Sequence, residues 1–320
     1  MTRASIAAAL LVAALAADGR AGDSAKGTSA GAFLRLAPGA RGAALGEAFA
    51  GVADDAYAAW YNPAGLAFLE TVEAAGAHES RFESMSYDVA IIAAPVLAWS
   101  DRPRRANAYG VMALAVYSLS TKDIARRGLV ETDAPSGTFG ASDRAVAVSY
   151  AKRVIDGPLS LGATVKVVDS VLDSSRAETV TWDGACLWRG PRTWVAAGVR
   201  GLGGSLRYKS EADAVSPVYY AGASLHSGQT WLLSSELDVP AREAASLGLG
   251  LEHRWQAAPD FSASLRAGYR TGRSDSGVLA GASLGLAATW RALEVDVAWS
   301  PGGALADVFT YSVLVRFGQR

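Results

Sequence analysis

Chemistry in this sequence could reside at one acidic pair, three histidines, one cysteine and one glycine run. Asp54-Asp55 offers the hard oxygen ligands that divalent cations take, but no further acidic residue stands beside it at ligand spacing. Two roles account for it better: capping of the helical turn that follows, or a salt bridge to an interior arginine. His78, His226 and His253 are separated along the chain and form neither an HxxxH nor an HExxH pattern. His78-Glu79-Ser80 is a fragment of the Ser/His constellation that barrel-embedded hydrolases need, so no catalytic residue and no enzymatic activity are expected. Cys186 is the only cysteine; it cannot form an internal disulfide and reads as a small apolar strand residue. GLGG at 201–204 follows a strand without a helix or a phosphate-loop lysine, which makes it a turn. No cofactor and no metal are expected.

The elements that carry these residues follow from composition and period. The chain has 320 residues, half of them apolar, with a formal net charge of −1; that balance gives no footprint for nucleic acid. Its 34 glycines and 9 tryptophans suit short strands, tight turns and an interface with something apolar. The start, MTRASIAAALLVAALAADGRAG, has Arg3, an apolar run from Ile6 to Ala17 and small residues at Ala14, Ala16 and Ala17. The run is too short for a bilayer span, which needs about 20 residues, and reads as a signal peptide over 1–22. Beyond it no apolar run is long enough to form a transmembrane helix, but an exported chain can still enter a membrane as a closed barrel.

From about residue 70 the pattern has period two. In FTYSVLVRF, Phe309, Tyr311, Val313, Val315 and Phe317 oppose Thr310, Ser312, Leu314 and Arg316. LEVDVAW (293–299), FSASLRAGYR (261–270) and SLGLGLEHRW (246–255) alternate in the same way. Aromatics close the apolar stripes at Trp255, Tyr269, Trp290, Trp299 and Phe317, where an interfacial girdle would lie. The spacing predicts about fourteen strands between residues 70 and 317. Links after even strands are mostly tight, while links after odd strands are mostly longer, notably 118–142, 169–177 and 201–215. Short turns at one end and long loops at the other are the habit of outer-membrane barrels. The fold class is therefore all-β: a transmembrane antiparallel barrel of about fourteen strands over 70–320. Its polar face would line a lumen with Lys166, Glu236, Asp238, Glu252, Arg254, Arg266, Arg270, Glu294, Asp296 and Arg316. A lumen of this width needs a plug, and the segment 23–69 is the part of the chain available to supply one.

The residues 31–66, GAFLRLAPGARGAALGEAFAGVADDAYAAWYNPAGL, resemble the N-terminal signature of the PorV/PorQ family, relatives of the FadL-type outer-membrane transporters. Phe33-Leu34, Gly39-Ala40-Arg41, Gly46-Glu47-Ala48-Phe49, Ala53 to Ala56 and Asn62 to Leu66 carry the match. HESRFESMSYDVA (78–90), residues 137–168 and the ending YSVLVRF extend it. Glu47 stands where members more often have a second glycine. The resemblance implies that 23–69 is a partly helical hatch folded into the lumen, with AALGEAFAGV as a small-residue helix. It also implies that Asn62-Pro63 and Gly65 turn the hatch into the first strand. Phe33, Arg41, Phe49, Asp54, Asp55, Trp60, Tyr61, Asn62 and Pro63 are the hatch and ligand candidates.

Two functions follow from the resemblance. One is binding or passage of hydrophobic small molecules across a Gram-negative-type outer membrane. The alternative is a type IX secretion-type shuttle or adaptor that binds exported proteins or secretion machinery there. Outer-membrane lipid is a partner in either case. The loop 118–142 is long enough to act at the outer mouth, controlling access or docking a partner.

Overall fold

The computed structural model describes residues 30–82, 84–96, 109–127, 134–208, 211–272, 278–301 and 307–318. The expected signal peptide lies outside them. Among the described residues sixteen strands follow one another: β1 Val72–Ser80, β2 Ser86–Pro95, β3 Val111–Arg126, β4 Gly137–Arg153, β5 Leu159–Leu172, β6 Ser175–Arg189, β7 Thr193–Leu202, β8 Ser205–Tyr208, β9 Glu211–Ala214, β10 Val218–Ser227, β11 Trp231–Pro240, β12 Ser246–Ala258, β13 Phe261–Arg270, β14 Ala282–Trp290, β15 Leu293–Ser300 and β16 Val308–Phe317. All but β8 and β9 form one closed antiparallel barrel of fourteen strands, in which β1 pairs with β16 to complete the circle. Closure leaves no unpaired edge.

The alternation in sequence becomes an inside and an outside. On β12, Leu247, Leu249 and Leu251 are exposed while Glu252 is buried; on β16, Phe309, Tyr311 and Val313 are exposed while Thr310, Ser312 and Leu314 are buried. This is the reverse of a soluble barrel's polarity and the arrangement of a wall standing in lipid. Trp188, Trp231, Trp255 and Trp290 ring the end where the links are short, and Tyr219 and Tyr269 stand toward the other end, all of them exposed.

The lengths of several links differ from expectation. Over 118–142 the strands continue: β3 runs to Arg126, β4 starts at Gly137, and Ile124 pairs with Phe139 beyond a register shift after Thr121. The link is reduced to 127–136. Over 169–177 the strands also continue, with Leu172 paired to Ser175. Strands that project beyond the bilayer need no apolar stripe, so their polar residues resemble a loop in sequence. The stretch 201–215 contains the hairpin β8–β9, which folds back against the inner side of β6: Ser205 N–H donates to Thr179 Oγ1 at 3.0 Å, and Leu206 is buried.

The N-terminal segment is mostly turns. Its helical pieces are a 3-10 turn at Ala32–Arg35, α1 Ala40–Ala44, α2 Ala58–Tyr61 and a second 3-10 turn at Pro63–Phe68. The expected helix over AALGEAFAGV is absent because Gly46 and Glu47 both adopt left-handed backbone, at φ 63° and 61°, which ends a right-handed helix.

Candidate functional site: the barrel interior

The segment 30–69 runs along the inside of the wall. It starts at the long-link end, where Ala30 bridges Val215 and Arg35 pairs with Glu243 at 2.5 Å. It ends near the short-link end, where β1 begins. Glycines on the inner faces of strands let its backbone lie against theirs. A Cβ on Gly268 would fall 2.1 Å from Gly46 N, and one on Gly162 would fall 2.4 Å from Ala64 N.

Arg41, buried on α1, is the centre of an ionic chain. Its Nε donates to Glu252 Oε2 at 2.9 Å, and its Nη1 reaches Asp54 Oδ1 at 2.5 Å and Asp55 Oδ2 at 3.3 Å. The arginine paired with the acidic dipeptide thus comes from the segment itself, and Asp55 also accepts the Tyr57 N–H at 2.9 Å, capping the turn before α2. Glu252 in turn accepts from Arg266 Nε at 2.7 Å; Arg266 bonds Asp296 and lies 3.3 Å from Glu294. Arg316 donates to Glu294 at 3.0 Å and faces Glu73 at 3.4 Å, and Glu73 accepts the Ala56 N–H at 2.8 Å. The chain of charges leaves the segment at Arg41 and returns to it at Ala56. Arg254, partly exposed, touches Glu252 at 3.5 Å.

Burial pushes the Asp55 carboxyl up to about 7, and the neighbouring Asp54 charge adds to the rise against the pull of Arg41. Burial also acts upward on Asp54, but there the Arg41 guanidinium wins and holds the carboxyl below the ordinary range.

A second network holds the middle of the segment. Glu236 accepts the N–H groups of Phe49 at 3.0 Å and Ala50 at 2.7 Å. Arg200 joins Glu236 at 2.9 Å and Asp238 at 2.6 Å, while Arg270 links Asp238 at 2.5 Å to Glu47 at 3.2 Å. Glu47, in a conformation that favours glycine, is thereby placed to meet Arg270. Lys166 forms its own buried pair with Asp183 at 2.6 Å.

Aromatic rings fill the space between these networks. Phe49 and Tyr61 lie 4.9 Å apart between centroids and Trp60 and Tyr61 4.7 Å, with Arg200 4.7 Å over Trp60. Phe33 belongs to the same buried cluster. The Asn62 side chain accepts the Ala64 N–H at 3.1 Å and donates to Ala50 O at 2.9 Å, so that it caps the turn opened by Pro63 and ties it to the preceding loop. Gly65 contributes closeness rather than a reversed backbone: a Cβ there would lie 2.2 Å from Ala53 O. Toward the short-link end Arg189 lies 4.0 Å from the Phe68 ring and 4.1 Å from Trp194, and donates to Ala53 O at 2.8 Å.

Sequence reasoning passed over Glu73, Asp183, Arg189 and Arg200. Parity could have found two of them: Glu73 alternates in step with Ala75 and Ala77, and Arg200 with Ala196 and Gly198.

The model of an uncharacterised protein family, UPF0164, matches residues 6–173. No curated protein matches the sequence. Among solved structures, CymD, a monoaromatic hydrocarbon channel, superposes with a TM-score of 0.57 at 10% identity, over 88% of this chain and 98% of its own. A Pseudomonas aeruginosa FadL homologue gives 0.52 at 11% identity over 88% and 98%. The Pseudomonas putida toluene transporter TodX gives 0.50 at 10% identity over 83% and 95%. At these identities the likeness is one of fold: a closed barrel of the FadL type.

Proposed function

Since the chain belongs to the uncharacterised protein family UPF0164, we propose for it the task that its barrel and interior fit best. It stands in a Gram-negative-type outer membrane and binds or passes hydrophobic small molecules. Within that reading, residues 23–69 act as a hatch, the block 31–66 aligns it with barrels of the PorV/PorQ type, and the task of binding or passage involves no enzymatic step. One observation carries the proposal. A segment rich in small and aromatic residues packs within a barrel whose outer wall is apolar, and barrels of the same fold include a monoaromatic hydrocarbon channel and a toluene transporter. The cluster of Phe49, Trp60 and Tyr61 is where an apolar ligand would meet the hatch. Fold likeness alone does not assign a task, so the support rests on the pairing of apolar wall with aromatic hatch.

The alternative, a shuttle for exported proteins or secretion machinery, draws no support from these likenesses. One experiment addresses both readings: detergent extraction of the protein from its native outer membrane, followed by lipid and protein mass spectrometry. The proposal expects a bound fatty acid or other apolar ligand that is lost in Trp60→Ala or Phe49→Ala. A co-purifying exported protein without any apolar ligand contradicts it.

A further inference from the structure

On the outer face of the wall, Ser80, His78 and Asp88 stand in hydrogen-bonded line. His78 and Asp88 are cross-strand partners on β1 and β2, and His78 Nδ1 lies 2.7 Å from Asp88 Oδ1. Ser80, two positions along the same face of β1, places its Oγ 3.2 Å from His78 Nε2. A ring protonated on Nδ1 donates to the carboxylate and accepts the serine proton at Nε2, which satisfies both contacts at once. The fragment His78-Glu79-Ser80 thus acquires the third group that the sequence could not place beside it. Recognition of such a set rests on geometry and roles rather than on chain order.

The position is as informative as the contacts. The array stands next to the turn between Ser80 and Ser86, and the His78 and Asp88 side chains are about half exposed. The next outward residues toward the barrel's waist are Gly76 and Ala90, again cross-strand partners. Their small size leaves a groove of about 590 Å³ walled by Val116, Val295, Tyr311 and Val313. Polar groups that end an apolar groove at the rim of a lipid-facing wall sit where the ester bonds of a glycerolipid lie, between headgroup and acyl chain.

We propose that Ser80, His78 and Asp88 form a lipid-facing serine esterase array whose substrate is an acyl ester of a membrane glycerolipid. The acyl chain lies in the groove and its carbonyl faces Ser80. Ser80 Oγ attacks the carbonyl carbon as its proton passes to His78 Nε2. The ester C–O bond breaks, the alcohol leaves with the proton from His78, and the acyl group stays on Ser80. Water, deprotonated by His78, then attacks the acyl-serine; the fatty acid departs and Ser80 recovers its proton. Asp88 holds the imidazole in its tautomer and stabilises the imidazolium. The hydroxyls of Ser118, register partner of Asp88, and Tyr311, register partner of His78, border the groove, while Ser86, register partner of Ser80 itself, carries the neighbouring-strand hydroxyl assigned to the developing oxyanion.

A second serine–histidine contact in the barrel provides the contrast. Ser224 Oγ lies 3.0 Å from His226 Nε2, but that hydroxyl donates to Gly51 O and the imidazole lies tilted against Trp194, their ring centroids 4.1 Å apart. Among the described residues no carboxylate bonds His226, so it lacks the group that orients a base.

The test uses the full-length protein, folded in detergent micelles and shown to be folded by its heat-modifiable mobility. A fluorophosphonate probe is added and the labelled peptide is mapped; in parallel, oleate release is measured from dioleoylphosphatidylcholine in mixed micelles. The array predicts a label on Ser80, with labelling and oleate release abolished in Ser80→Ala. Both should fall by at least about 10²-fold in His78→Ala and Asp88→Asn. Wild-type protein that is folded yet unlabelled at Ser80, or oleate release that Ser80→Ala leaves unchanged, overturns the proposal. Neither result depends on whether the interior passes a ligand.

Discussion

Arg41 and Glu252, 211 positions apart in sequence, meet at 2.9 Å and fasten the N-terminal segment to the strand wall. The bond is one side of a fork: the same guanidinium holds Asp54, and Glu252 also receives Arg266. Removing one member of a buried set leaves the others uncompensated, at a cost of about 3–5 kcal/mol. Arg41→Met should therefore loosen the segment while the barrel stays closed. Limited proteolysis of folded protein would reveal this as cleavage within 31–69 that wild-type protein resists. Arg41→Lys should restore only part of the protection, because an ammonium cannot bond Glu252 and Asp54 with a planar fork.

The acidic pair gives the segment a pH dependence. The Asp55 carboxyl titrates at about 7 in the folded protein against an ordinary 3.8. Its contribution is neutral below about 3.8, where both states hold the proton. Between 3.8 and 7 the unfolded state loses the proton first, so the folded state is progressively penalised; above 7 the penalty is full. Asp55→Asn should thus stabilise the segment relative to wild type at pH 8, with the gain shrinking as the pH falls toward 4. Amide hydrogen exchange across 53–61 at both pH values measures it; a gain independent of pH would contradict the assignment.

Close backbone approach makes a third prediction. A methyl group on Gly268 would lie 2.1 Å from Gly46 N, whereas nothing lies within 4 Å of one added to Gly137. Gly268→Ala should displace the segment around Leu45-Gly46 and raise its protease sensitivity. Gly137→Ala should leave it unchanged.

The outward wall is testable at single positions. Leu286 on β14 is 61% exposed among other apolar outward residues. If the wall stands in lipid, Leu286→Arg should cost about 2–4 kcal/mol near the bilayer midplane, read as a shift in urea-dependent folding into liposomes. A barrel in water would be indifferent to the change or gain from it.

The fold was legible because lipid on one side and a filled interior on the other impose period two on every strand that crosses. Where a strand leaves the membrane, the signal vanishes: Ser118, Ser120, Thr121, Lys122 and Asp123 read as loop, yet β3 continues through them. The local form of the N-terminal segment was less legible. GAALGEAF has helical composition, and only the left-handed backbone at Gly46-Glu47 interrupts it; that conformation is imposed by wall contacts far away in sequence. Single charges were visible as residues of the polar face, but not their partners, since Arg41 with Glu252 and Phe49 N–H with Glu236 join positions nearly 200 residues apart or more. The alignment of His78 with Asp88 needed the hairpin register between β1 and β2.

The most direct measurement of the proposed role locks the segment to the wall and follows uptake. A Cβ on Gly222 would stand 3.5 Å from the Ala50 Cβ, at the lower edge of the roughly 3.5–4.5 Å that a disulfide spans, but also 2.9 Å from Gly51 N, so the Gly222→Cys single variant is first shown to keep the uptake. Ala50→Cys with Gly222→Cys, in a Cys186→Ser background, can be closed by oxidant and opened by reductant in intact Gram-negative cells supplied with labelled toluene or oleate. The proposed hatch predicts that oxidised cells lose the uptake this protein confers and that reduction restores it. Equal uptake by the locked and unlocked forms would contradict a hatch formed by this segment.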